Sequence, residues 1–440
     1  MIKNYIHNLS QNIFKLLESN EQLSLFLHSE ESTFIRFSQS KVRQNTQVHQ
    51  HELTLQLHKD QRLIKMCLNL TLNESLDLDA AHNLILEART QLPLTDANPQ
   101  FFRIKNNGHS EVIKKSNYPN VTEIPEIIYK NFSQDDLAGL WCSGPLRQAS
   151  INSEGQFHFF ETDFFFFDYS LYSGPLAAKG YYSEHDFSEK KISSQAYATK
   201  NKLVLLKKPI QKIPRGQYRV YLEPMAVAEI LGTMSWGSFS QGNYKKGVAP
   251  LKKLAEKQLF FSPKVTILEN FELGLTPEFN SIGELSLPHI KLIEHGHLKQ
   301  FLTSSATAQE FGLNSNNADV REIPRSIELL SGSMNADQAL QELNTGIYIS
   351  NLHYINYSDI QSARITGMTR FACFWVENGE IVGPIQDLRF DESLYNIFGS
   401  QLIELTEQSS IFVDIGTYQK RNLGAMKVPG ALVDKFNFTL

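Results

Sequence analysis

The stretch Leu222–Ser240 (LEPMAVAEILGTMSWGSFS) constrains the fold most, because it is a helical signal in a half of the chain otherwise patterned for strands. Pro224 suits the first turn of a helix, where a missing N–H costs nothing and φ is already helical. Val227, Ile230, Leu231 and Met234 recur at i, i+3, i+4 and i+7, which makes one apolar stripe. Glu229, Thr233 and Trp236 recur on a different stripe, so a single carboxylate sits off the main apolar ridge. Gly232 and Gly237 thin the helix, which allows a close backbone approach or an end near Trp236.

The chain before that helix mixes both periods. Ile6, Leu9, Ile13, Leu16 and Leu17 mark an amphipathic helix, and Thr33–Leu57 alternates as a pair of half-buried strands. Lys59–Gln61 turns into a third strand at Leu63–Leu72, and Asp79 is a candidate cap for a helix through Arg89. Thr95–Pro125 is rich in Asn, Pro, Gly and Lys and reads as a connector. Leu137–Trp141 and Gln156–Tyr169 read as strands, and the aromatic run from Phe157 to Phe167 as a buried strand face. Ser188 caps a predicted helix to Lys207, and the Pro- and Lys-rich Lys207–Gln217 marks a domain boundary. The remainder reads as strands with turns, among them Lys291–Phe301, Ile347–Ile355, Ala372–Val376 and Ala431–Leu440. Asn378-Gly379 is a two-residue hairpin turn, and Glu392–Leu405 has helical periodicity. This order predicts an α+β fold: a mixed strand/helix N-terminal domain over 1–210, then a mostly antiparallel β domain over 211–440.

With 41% hydrophobic and 20% charged residues in 440, the chain has apolar mass for sizeable cores. A net charge of −5 does not favour a nucleic-acid partner held by phosphate neutralisation. Cys67, Cys142 and Cys373 are far apart and odd in number, which suits a reducing cytoplasm. His7, Asn8, Ser10, Gln11 and Asn12 interrupt any leader-like apolar run, and no window has the length to span a bilayer.

His49/His51 and His295/His297 are H-x-H pairs, but neither has a third or fourth ligand nearby in sequence, so structural roles are expected. Cys142 and Cys373 lie in apolar, strand-like settings, where core packing is the default. Ser235 is out of register with a G-x-S-x-G elbow, and residues 242–247 lack phosphate-loop spacing. The segment Asn351–Asp359 carries more chemistry. His353, Asn356, Tyr357 and Asp359, with Arg370 downstream, are placed to hold an extended peptide adding to an open sheet edge. The alternative is an internal polar network that fixes strand register.

Several stretches resemble one known family. Glu31–Asn45 is similar to the N-terminal strand of the TldD/TldE (PmbA) family, associated with metal-dependent peptide processing. Gly346–Asn356, Gly367–Arg370, Phe374–Pro384 and Leu388–Phe390 resemble its C-terminal signature. Catalytic members carry H-E-x-x-x-H where this chain has Ala228-Glu229-Ile230-Leu231-Gly232-Thr233, and a Cys ligand where Tyr418 follows Gly416-Thr417. Ala228, Thr233 and Tyr418 do not make a zinc ligand set, since such sites use Cys, His and carboxylate groups. Without a metal-bound water, Glu229 has little to activate. The resemblance therefore implies a TldE-like chain with no metal or other cofactor, not catalytic alone. It would dimerise with a TldD-like subunit or with itself and bind unfolded peptide. A metal-independent hydrolase and a non-catalytic scaffold are the alternative readings.

Overall fold

Alternation over Gln22–Lys59 builds a long hairpin, and the rest of the N-terminal half is laid against it. The computed structural model describes residues 2–97 and 104–439. Strands β1 (Gln22–Ser38), β2 (Lys41–Lys59), β3 (Arg62–Asn69), β4 (His109–Lys114), β5 (Asp136–Asn152), β6 (Phe157–Ser173) and β7 (Leu176–Tyr182) form one sheet in the order β3-β2-β1-β5-β6-β4, with β7 also on β6. Every pairing is antiparallel except β4 with β6.

Four helices cover one face of this sheet: α1 (Ile2–Phe14), α2 (Glu74–Gln91), α3 (Ile124–Phe132) and α4 (Glu189–Leu205). Strand period decides what they meet. Leu23, Leu25 and Leu27 face α1 and α2, while Phe165, Phe167 and Tyr169 face α3 and α4. The intervening Phe164 and Phe166 point the other way, into a cluster with Cys142, Leu146, Val413 and Ala425. The aromatic run is continuous, not alternating, because β6 is buried on both faces.

The second sheet takes its strands from the C-terminal half: β8 (Gly216–Leu222), β9 (Ile267–Asn270), β10 (His289–Glu294), β11 (His297–Leu298), β12 (Ser326–Leu329), β13 (Gly346–Ile349), β14 (Asn351–Asp359), β15 (Arg364–Arg370), β16 (Phe374–Glu377), β17 (Glu380–Pro384), β18 (Arg389–Ser393), β19 (Leu402–Val413) and β20 (Ala425–Phe438). Its main path runs β11-β10-β9-β12-β20-β8-β13-β16-β17. A branch of β18, β15 and β14 leaves from β20. Pairing is antiparallel apart from β12 with β20 and β8 with β13. Asn378 (φ 50°) and Gly379 (φ 80°) make the left-handed turn between β16 and β17. The fold is α+β, with the second sheet mostly antiparallel.

Several expectations need correction. The cap of α2 is Asn73, whose side chain accepts from Leu76 N–H; Asp79 lies inside the helix. The residues read as a connector at Thr95–Pro125 include β4, which pairs along the Phe-rich β6, and Ile124 and Pro125 open α3; residues 98–103 of that stretch lie outside the described residues. Glu392–Leu405 is not a helix: β18 ends at Ser393, a π-helical turn spans Asn396–Ser400, and β19 begins at Leu402. Leu394, just after β18, and Ile397 and Phe398 of that turn fill the core, which produced the misleading helical spacing. The helix predicted over Leu222–Ser240 is α5 (Pro224–Met234) followed by a turn at Gly237, φ 108°.

Candidate functional site

Helix α5 is held at both ends and buried between. Glu223, just before Pro224, takes Lys202 of α4 at 2.6 Å and the hydroxyl of Tyr348, which ties the helix start to the N-terminal half. Ala226, Val227, Ile230, Leu231 and Met234 are fully buried. Packing on that ridge turns Glu229 toward β14.

The Glu229 carboxylate accepts the backbone N–H of Leu352 at 2.5 Å. Burial pushes the Glu229 carboxyl up to about 7, against the lowering effect of the Leu352 N–H, the Asn351 side chain and the Lys179 charge on β7. Lys179 is itself paired with Asp168 at 2.6 Å. The carboxylate thus lies between α5 and β14, within the field of Lys179.

The five residues proposed for peptide contact all lie on the β14–β15 hairpin. His353 pairs with Met368, Asn356 with Thr366, Tyr357 with Ile365, Asp359 with Arg364, and Arg370 with Asn351. His353, Asn356, Asp359 and Arg370 are exposed. The Tyr357 hydroxyl bonds Ser238 Oγ at 2.6 Å, just past α5. Asp359 is committed to the turn, where it accepts from Gln361 and Ser362 and is held below its usual range chiefly by the Ser362 side chain. Among the described strands β14 pairs only with β15, so it is an edge. Its register slips between His353 and Asn356, where Tyr354 has φ 51° and is 79% exposed. Asn351, Leu352, Ser238 and Lys179 were not singled out from sequence. Asn351 opens the polar stretch and was the available signal; a backbone N–H such as that of Leu352 leaves none.

The positions that the resemblance assigns to metal ligands do not fit a zinc ion. Ala228 offers no donor atom, and the Thr233 hydroxyl donates to the Glu229 carbonyl at 3.1 Å. Tyr418 is 87% exposed on the 414–424 loop. That loop lies across β1 and β2: Lys420 meets Glu52 at 2.6 Å, Arg421 N–H meets Glu30, and the Gln419 carbonyl accepts from Gln50. Among the described residues no group of three His, Cys, Asp or Glu side chains is placed to hold a metal.

The other candidates settle as packing. His51 is buried against Ser29 Oγ at 2.8 Å, while His295 sits in a left-handed turn and His297 stacks edge-on to Phe260. Burial raises both Cys142 and Cys373 to about 11, away from thiolate chemistry. Ser235 spends its hydroxyl on the Leu231 carbonyl. No helix among the described residues is long and apolar enough to cross a membrane.

The raised Glu229 carboxyl carries a pH prediction. A carboxyl that titrates higher in the folded chain than in the unfolded one binds its proton more tightly when folded. Its stabilising contribution is therefore present below the unfolded value near 4.5 and is lost as pH rises to about 7. Glu269, buried against the Arg325 and Ser326 amides and also raised to about 7, adds a contribution of the same sign. Denaturant titrations from pH 5 to pH 8 should show Glu229→Gln gaining about 2 to 3 kcal/mol on wild type across that window. Parallel curves would contradict the assignment.

These features define an α+β protein whose buried helix lays a carboxylate against an edge strand, at a motif position stripped of metal donors. Comparison with known proteins bears on the fold and the family. The family model for the PmbA/TldA metallopeptidase C-terminal domain matches residues 215–440, just over half the chain. The chain belongs to the TldD/TldE (PmbA) family, a protease-related family. No curated protein sequence matches it. Three solved structures share its fold over nearly the full length of both chains. TldE from Thermococcus kodakarensis is 14% identical (TM-score 0.77; 99% of this chain and 100% of that one). A proposed modulator of DNA gyrase from Bacteroides thetaiotaomicron is 14% identical (TM-score 0.79; 100% of both). Another from Thermotoga maritima is 16% identical (TM-score 0.77; 99% and 100%).

Proposed function

We propose that this chain is a TldE/PmbA-like, metal-free subunit of a cytoplasmic peptide-processing system, contributing peptide binding and assembly in place of the catalytic ion. The observation that carries this reading is the donor chemistry at 228, 233 and 418: a methyl, a hydroxyl already bonded to the helix backbone, and an exposed phenol. The edge position of β14 supports the binding role, because an unpaired strand offers its N–H and C=O groups to an extended peptide. His353, Asn356 and Arg370 are the exposed side chains that would grip the substrate, with Tyr357 and Asp359, bonded to Ser238 and to the turn, shaping the hairpin that presents them. A TldD-like subunit carrying the metal, or a second copy of this chain, is the partner.

The test is to incubate purified chain with an unfolded peptide, with and without zinc and chelator, alone or with a TldD-like partner. Cleavage only with the partner, abolished by chelator and weakened at least tenfold by Arg370→Ala with His353→Ala, is expected. Chelator-resistant cleavage by the chain alone would replace this reading with a metal-independent hydrolase.

A further inference from the structure

We propose that Glu229 is a positioning residue: its carboxylate stands in for a neighbouring strand at the free side of β14, and so fixes where the open edge begins. The direction of the Leu352 N–H follows from the ladder. Thr369, opposite Leu352, donates its N–H at 2.9 Å to the Leu388 carbonyl, away from β14. In an antiparallel pair both residues share that sense, so the Leu352 N–H points outward, where an added strand would lie. Glu229 occupies that donor at 2.5 Å.

The same wall of the molecule holds the hairpin twice more. Ser238 takes the Tyr357 hydroxyl at 2.6 Å, and the Gly247 carbonyl accepts from the Gln361 side chain at 3.2 Å. Between the first two tethers the strand bulges at Tyr354, which leaves the exposed His353 and Tyr354 rings tilted against each other, their centroids 4.0 Å apart. Asn351, next to Leu352, is 3% exposed, so the tether lies in a buried corner of the edge. With its first outward donor taken, β14 offers backbone pairing to a peptide only beyond the bulge, and His353 and Arg370 are left to meet it through their side chains alone. The tether stands on geometry alone; its consequence for peptide binding rests on the function proposed above.

The test compares Glu229→Ala with Glu229→Gln in the full chain. Amide hydrogen exchange is read at Leu352 and, as an internal reference, at Val433 in β20. Binding of fluorescein-labelled β-casein, a natively unfolded probe, is measured alongside. Loss of the acceptor in Glu229→Ala should speed exchange at Leu352 about ten- to a hundredfold with Val433 unchanged. Glu229→Gln, which keeps a carbonyl oxygen there, should stay close to wild type. Casein affinity should fall in the alanine variant and recover in the glutamine one. Unchanged exchange at Leu352 in Glu229→Ala, or an equal rise in both variants, overturns the tether. Faster exchange in Glu229→Ala alone, with no casein binding even by wild type, supports the tether and removes the peptide-binding reading instead.

Discussion

Replacing Phe167 by Ala should cost about 3 to 5 kcal/mol of folding stability, the largest single-residue effect expected in this chain. Phe167 is fully buried. Its ring stacks on Tyr169 at 4.7 Å, meets Phe37 and Phe132 edge-on at 5.9 and 6.0 Å, and leans on Trp141 at 6.3 Å. These partners come from β1, α3 and β5 as well as β6. Backbone pairing on both sides of β6 keeps them from closing over the gap, so the cavity persists. Chemical denaturation reads the loss. A cost below 1 kcal/mol would mean that the layer between the sheet and α3/α4 is not packed as described.

The second large effect is expected at Gly144, where Ala should destabilise by about 3 kcal/mol or more. Its φ is 124°, a conformation that side chains resist, and an added Cβ would stand 2.1 Å from the Glu31 carbonyl oxygen of β1. The neighbouring strand cannot retreat cheaply, because the Gly144 carbonyl also accepts from the buried Arg421 at 3.0 Å. Arg421 lies over the Phe164 ring at 4.3 Å and bonds Ser32 at 3.0 Å, so the 414–424 loop hangs on this point. Gly144→Ala should therefore also open that loop to protease. A variant as stable as wild type with the loop still protected would contradict this account.

Much of the architecture was legible because strand period and helix period leave different marks. The Asn378-Gly379 turn and the Ser188 cap depend on near neighbours and stand where local chemistry put them, while the strand pair read over Thr33–Leu57 begins earlier, at Gln22. What could not be read depends on distant partners. β4 carries no strong strand signal of its own and is a strand because β6 offers it an edge. The false helix at Glu392–Leu405 arose because a π-helical turn and two strand ends point into one core with helix-like spacing. The site divides in the same way. Glu229 stood out by its stripe, and the β14 residues by their polarity. That the two meet is a consequence of Leu352 N–H, which no side-chain pattern records.

The central claim is that the side chains at 228, 233 and 418 give this chain no grip on a catalytic metal. Metal analysis of the purified, untagged chain after incubation with zinc and desalting tests it most directly. Zinc far below one ion per chain is predicted. One tightly held zinc per chain, lost when Glu229 is replaced by Ala, would contradict it.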